Sequence, residues 1–479
     1  MASVKSLDDL CYDVLVCIME EFSCPYDLYR LKLASPACYR ADDPSPGRLT
    51  RNVLKYGVPP GILYHAIAAL VASRRFPYQL NPMDWQAVSF FHKYLEGTLQ
   101  VSFPTTREDL FYLNRLYCRI SFFVHDYSTK ARRAMGEQQT SVESLSKTER
   151  TRLYRAFFLY EVVSRFHFGR NDGRNGMFCT NAYMQRLAFH FRSRSWLLEE
   201  MACIHFYYCS MLEHHVKMFE DEFVEAVLQT PGARISATRR IPPPHSWTMD
   251  DYYRQRNPLS SHYTDYQPIN NGQFCDTGFR DFLRIHGSRL SLFSKNPIRP
   301  SLRPEHILAA RGCNFVHRIT YGSPELRKQL FRGEAFDQYI TLTDFLSVAH
   351  TLIPFTLPRQ HQCSWPIPVE ANENVMFPSQ GVQFFMSPAY SESYAQTLMR
   401  QQYEIHLELK RRGYAFWDGR RLSANIINLL PLTQEMFALP KDSVRSLGWI
   451  SAQDRLMGVV VPKEELHRLE DEFGSTNMM

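Results

Sequence analysis

No uninterrupted apolar run in this chain is long enough to cross a bilayer, which takes about 20 residues. The most membrane-like stretch, Gly61 to Ala72, contains His65 and ends at Arg74-Arg75. The amino end carries no leader pattern: Lys5 is followed by Asp8 and Asp9, with no apolar h-region or small-residue cleavage site. The 11 cysteines are odd in number and scattered, and none forms a Cys-x-x-Cys pair. That usage predicts reduced thiols rather than a disulfide framework, hence a soluble protein of the cytoplasm or nucleus. Charge of one sign is scarce as well. With 55 Lys+Arg against 49 Asp+Glu, the formal charge is +6 over 479 residues, a mild bias that argues against a nucleic-acid partner. Two short basic clusters, Lys130-Ala131-Arg132-Arg133 and Arg150-Thr151-Arg152, read as solvated helix faces. No nucleophile elbow, H-E-x-x-H or dinucleotide fingerprint occurs, so the residues supply no catalytic, cofactor or metal centre and no case for an enzyme.

What the chain does have is rings and helical period. Its 33 Phe, 26 Tyr and 6 Trp are material for a large aromatic core. Leu10, Val14, Leu15, Ile18, Met19 and Phe22 recur at helical spacing until Ser23-Cys24-Pro25. A second short helix fits Asp27 to Leu33, with Leu28 and Leu31 inward. Ser35-Pro36 reads as an N-cap with Pro at the first helical position of a third. The breaker cluster Ala41 to Gly47 marks a boundary. Beyond it the spacing predicts helices over Gly61 to Arg74, Asp84 to Leu95 and Thr106 to Phe123. Another, headed by the capping box Ser146-Lys147-Thr148-Glu149, runs to Phe168. The longest apolar stripe runs from Leu197 to Val227 and is closed by Pro231-Gly232.

From about 231 to 303 the pattern collapses into Pro- and Asn-rich punctuation, with one short helix expected over Asp276 to His286. Short helices resume at Pro304 to Arg311, Pro324 to Phe331 and Thr341 to His350. A second irregular stretch spans about 354–390, followed by a helix from Ser391 to a stop at Gly413. Strand signals are few, the best being Val382 to Met386 and Met457 to Val461. The expected fold is mainly α: a three-helix module over residues 1–44, then a large aromatic-rich helical domain over 45–479 with long irregular insertions and few short strands.

The stretch Leu10 to Ala41, LCYDVLVCIMEEFSCPYDLYRLKLASPACYRA, resembles an F-box. Aligned on Ile18, the family's first Leu falls on Leu10, its Pro on Cys11, its Glu on Asp13 and its paired Leu on Val14 and Leu15. The closing Leu falls on Phe22, and Asp27-Leu28 matches the family's Asp-Leu. The tail Ala34 to Arg40 is similar to the fungal subset of F-box-like proteins, and Gly413 to Asp418 and Arg155-Ala156-Phe157 share a softer likeness to fungal proteins with such an amino end. The chain departs from the pattern at Cys11, where the signature Pro would stand, and at Tyr39, in place of a closing Trp. The resemblance implies a three-helix module that inserts apolar anchors into the Skp-type adaptor of an SCF ubiquitin ligase, while the rest of the chain presents an unidentified protein substrate. The anchors it implies are Leu10, Cys11, Val14, Leu15, Ile18, Phe22, Leu28 and Leu31. The alternative is a self-contained helical scaffold in which the same residues are internal packing.

Weaker patterns complete the reading. His205, Cys209 and Glu213 recur at i, i+4 and i+8 on the long helix, a zinc-like donor set, but one helix rarely closes a tetrahedral site and no paired spacing accompanies it; buried core polarity is the simpler account. Glu464-x-x-His467 occurs once, where carboxylate-bridged sites need several such pairs. The segment Gly169 to Gly176 lacks the Gly-Lys-Ser/Thr of a P-loop and reads as a surface turn. Arg239 to Pro244 suits either a polyproline II segment for an aromatic-groove partner or a stretch that simply keeps the insertion extended.

Overall fold

Side-chain caps or a leading proline set many of the helix starts among the described residues. The structure, a computed structural model, describes residues 6–22, 25–41, 48–76, 85–137, 145–166, 195–235, 304–332, 410–418, 421, 456 and 459–473. It is mostly helical. Ser6 opens a 3-10 turn over Leu7–Asp9: its hydroxyl accepts from the Asp8 amide at 3.2 Å, and the Asp9 carboxylate accepts from the Ser6 amide at 3.1 Å. Helix α1 spans Tyr12–Glu20 and α2 Pro25–Ala34. Pro lacks the amide an inner helical turn needs, so Pro25 separates the two. Helix α3 covers Pro36–Ala41, where the Ser35 hydroxyl accepts from the Cys38 amide at 3.2 Å, the cap that Ser35-Pro36 predicts. Helix α4, Arg48–Asn52, runs into a π turn over Val53–Gly57.

Longer helices follow. They are α5 (Pro60–Arg75), α6 (Trp85–Glu96), α7 (Arg107–Ala134), α8 (Lys147–Phe166) and α9 (Ser195–Leu228). Thr106 caps α7 by accepting from the Asp109 amide at 3.2 Å. At the head of α8, Ser146 and Glu149 exchange two bonds, at 3.0 and 3.1 Å, so the capping box forms as its spacing predicts. After residue 303 come α10 (Pro304–Ala309), α11 (Cys313–Tyr321), α12 (Pro324–Arg332), a 3-10 turn over Tyr414–Phe416 and α13 (Lys463–Phe473).

The described residues group into two compact units, one drawing on 6–215, 304–323 and 410–421, the other on 216–235, 324–332 and 456–473. Residue 44, expected as a boundary, lies outside the described residues. Leu49 and Val53, beyond it, share one apolar cluster with Leu15, Val16, Met19, Leu28, Ala37, Cys38 and Ala41. Within this unit α5 packs along α8, α7 against both, and α2 against α7. Where α7, α8 and α9 meet the core is made of rings: Phe123 and Phe157 lie parallel at 6.4 Å, and Tyr208 meets Phe157 and Tyr160 edge-on at 5.8 and 5.4 Å. In the second unit Phe219 stacks on Phe331 at 4.8 Å and Phe223 meets Phe473 at 5.3 Å. There Arg234 and Ile235 pair antiparallel with Val460 and Val459, a bridge of two residues a side.

Two readings need correction. Helix α7 does not stop at Phe123 but continues to Ala134, and the basic face of its last turn is solvated only in part: Lys130 and Arg133 are exposed, but Arg132 is fully buried with its Nε–H donating to the Ser128 carbonyl at 3.1 Å. Arg152 likewise turns inward, donating to the Phe416 carbonyl at 3.2 Å and to Asp418 at 2.6 Å. Outside the described residues lie the expected elements at Asp276 to His286, Thr341 to His350 and Val382 to Met386, most of the first irregular stretch and all of the second, nearly all of the helix from Ser391, and the segments Gly169 to Gly176 and Arg239 to Pro244.

Candidate docking face

Helical spacing splits the apolar residues of α1 between two faces. Leu15, Val16 and Met19 point into the module and are buried; Leu28 from α2 meets them, and Leu10, Phe22 and Leu31 pack half-buried against the same cluster. The row Cys11, Val14 and Ile18, one and two turns apart, faces outward: Cys11 is exposed, Val14 is 43% exposed and Ile18 half-buried. The eight residues singled out as adaptor anchors therefore divide into two buried supports (Leu15, Leu28), three half-buried members of the module's own packing (Leu10, Phe22, Leu31) and an outer row of three.

That outer row has company. Seven of the eleven exposed large apolar side chains among the described residues lie between Leu7 and Tyr56, namely Leu7, Tyr12, Val14, Tyr29, Leu33, Tyr39 and Tyr56. Single exposed apolar side chains are commonplace; their concentration within this one segment sets it apart from the rest of the described residues. A polar clip holds the module in shape. The Ser35 hydroxyl donates to Asp8 Oδ1 at 2.6 Å and the Ala37 amide donates to the same oxygen at 3.3 Å; these two bonds, in that order of weight, hold the Asp8 carboxyl below the usual range. The module is anchored to the core through α2, which lies on α7, with the Cys118 thiol 3.6 Å from the Pro25 carbonyl oxygen.

Two further polar clusters lie deep in the same unit. In the first, Tyr414 donates to Glu199 Oε2 at 2.6 Å, Lys410 Nζ lies 3.9 Å from that oxygen, and Tyr127 donates to the Lys410 carbonyl at 2.8 Å. Burial pushes the neighbouring Cys203 thiol well up, and Lys410 only partly opposes it, so this thiol stays protonated and unreactive. Burial also lowers the Lys410 ammonium, against the pull of Glu199. The second cluster joins His205 and Cys209 of α9 to His306 of α10, with their donor atoms between 3.0 and 3.6 Å apart. Glu213, the third member of the i, i+4, i+8 row, is exposed instead, as is His467 of the Glu-x-x-His pair on α13. Sequence spacing pointed to neither Lys410 nor His306, because each reaches its partners from about a hundred residues or more away and no local pattern announces it. Compared with known proteins, the chain matches no family model, no curated protein and no solved structure.

Proposed function

We propose that this chain is a protein-interaction protein whose amino-terminal helices dock a Skp-type adaptor, as a substrate-recruiting subunit of an SCF-type ubiquitin ligase. The observation that carries the reading is the outward row Cys11-Val14-Ile18, in a segment, residues 7–56, that holds most of the exposed large apolar side chains among the described residues and is seated on α7 through α2. Such a row suits helix-in-groove recognition, in which a few apolar anchors supply most of the binding energy. Leu15 and Leu28 support that face from within.

Co-purification of the full chain with a Skp adaptor tests this. Cys11→Asp with Val14→Asp is expected to abolish capture while leaving the thermal midpoint nearly unchanged, since both side chains are exposed and surface substitutions shift stability by about 0.5 kcal/mol or less. Leu15→Ala is the counterpart: it is expected to cost about 2–4 kcal/mol by opening a cavity in the small core, with capture retained wherever the chain is folded. Absence of capture by the unmodified chain would end the adaptor role. A second reading, the self-contained scaffold, draws its support from the burial of Leu15 and Leu28 and the seat of α2 on α7; it predicts that the paired Asp substitutions change no partner.

A further inference from the structure

We propose that His205, Cys209 and His306 form a zinc site that pins α10 onto α9. His205 and Cys209 stand one helical turn apart, which places both side chains on one face, and α10 brings His306 to that face from a hundred residues away. His205 Nε2 lies 3.0 Å from His306 Nδ1, and Cys209 Sγ lies 3.6 and 3.5 Å from those two nitrogens. A tetrahedral zinc with its usual bond lengths to nitrogen and sulfur separates N from S by about 3.6 Å and N from N by about 3.3 Å. Both sulfur distances match. The nitrogen pair needs to open by a few tenths of an ångström, a small rotation of the half-buried His306 ring.

The donor chemistry narrows the ion. Two imidazoles and a thiolate suit zinc, while calcium and magnesium require oxygen ligands. The surroundings also suit a ligand His. The Tyr160 hydroxyl oxygen lies 2.8 Å from His205 Nδ1. With Nδ1–H donating to that oxygen, the ring is fixed and the Nε2 lone pair is turned toward Cys209 and His306, the arrangement that orients metal-bound histidines elsewhere. Tyr160, His205 and Cys209 are buried, whereas His306 is half-buried, so an ion has a route in from that side. A water or a further side chain takes the fourth corner. The rival account is a metal-free cluster in which one ring donates an N–H to the other across the 3.0 Å gap. That account needs a proton between the two nitrogens, and zinc needs both lone pairs.

The experiment loads the full chain with zinc, removes excess by buffer exchange and measures metal by mass spectrometry. One zinc per chain is expected, with an upward shift of the thermal midpoint on loading. Cys209→Ser and His306→Asn should each lose the metal and the shift. Tyr160→Phe should weaken affinity roughly 10–100-fold, and His214→Ala, an exposed histidine on the same helix, should change nothing. Cobalt(II) substituted into the unmodified chain should show a thiolate-to-cobalt charge-transfer band and tetrahedral d–d absorption, a readout independent of whether any variant folds. No stoichiometric zinc in the unmodified chain, no thiolate band with cobalt, or zinc retained by His306→Asn would each overturn the site.

Discussion

The amino-terminal module and the helical core of the same unit treat polar groups in opposite ways. In the module, the charged groups Asp8, Asp9, Glu20 and Arg48 stay exposed even where they reach distant residues. Ser6 pairs with Asp8 and Asp9, Ser35 with Asp8 and Cys38, and Arg48 reaches the exposed Glu20 at 3.1 Å, a surface pair of small energetic weight. In the core, charges are sealed in. Arg155 grips Glu200 with two hydrogen bonds, and both side chains are almost fully buried. Glu149 receives Arg421 from 272 residues away at 3.0 Å. Glu161 accepts from the Cys313 amide at the start of α11, beneath Gly312. Gly312 has φ +83°, and a Cβ there would sit 2.5 Å from the Glu161 carboxylate, so only glycine lets carboxylate and helix end meet. The difference teaches where each region tolerates change. A module with its charges in water can vary its outer face, whereas a core that has dehydrated its charges depends on every partner staying in place.

The largest expected effect tests that dependence. Glu200→Leu leaves the Arg155 guanidinium buried without its counter-charge and is expected to cost about 3–5 kcal/mol in urea denaturation. Adding Arg155→Met should restore most of the loss, because the apolar pair needs no compensation. A cost for Glu200→Leu below that of a surface substitution would erase the contrast between the regions.

Acid offers a second, smaller break. Burial, with help from Arg155, holds His65 near a pKa of about 3, and its Nδ1 lies 2.8 Å from the Tyr94 hydroxyl oxygen. A depressed folded-state value means the unfolded chain takes up a proton first. Stability from this group is present above about pH 6.5 and falls by about 1.4 kcal/mol per unit as the pH drops toward that folded value. Burial raises Glu161 and Glu200 instead, so their contributions run the other way and fade as the pH rises through their folded values. The difference between the unmodified chain and His65→Gln, followed as thermal midpoint against pH, isolates the histidine. A flat difference would mean that His65 is solvated.

How far the sequence could be read follows the same divide. The starts of α3, α7 and α8 were legible because their caps sit within three or four residues of the amides they satisfy, as with Ser35, Thr106 and Ser146. The apolar row of α1 was legible too, but not its division: Leu15 and Val14 are adjacent and equally apolar, and only the arrival of Leu28, Leu49 and Val53 decides which is covered. The end of α7 was missed because Arg132 reads as a solvent residue, whereas it lies buried with Arg421 and Glu137 paired close by. Of the zinc ligands, two of three could be seen on one helix. The third was hidden because the fold, not the spacing, brings His306 to Cys209 and leaves Glu213 outside.

The smallest effect probes the module's own clip. Ser35 accepts from the Cys38 amide at 3.2 Å and donates to Asp8 at 2.6 Å, so one hydroxyl both caps α3 and ties the leading turn to it. Ser35→Ala removes both bonds. The freed Asp8 carboxylate is at the surface and can turn to water, while the Cys38 amide loses its cap. The expected loss is therefore that of a helix N-cap, about 1 kcal/mol, seen as a shift in the denaturation midpoint with an unchanged slope. Ser35→Asp should recover part of the cap, yet its charge faces Asp8, so recovery should improve with added salt, which screens like-charge repulsion near the surface. A loss for Ser35→Ala as large as that for Glu200→Leu would show that the module, too, leans on buried polarity.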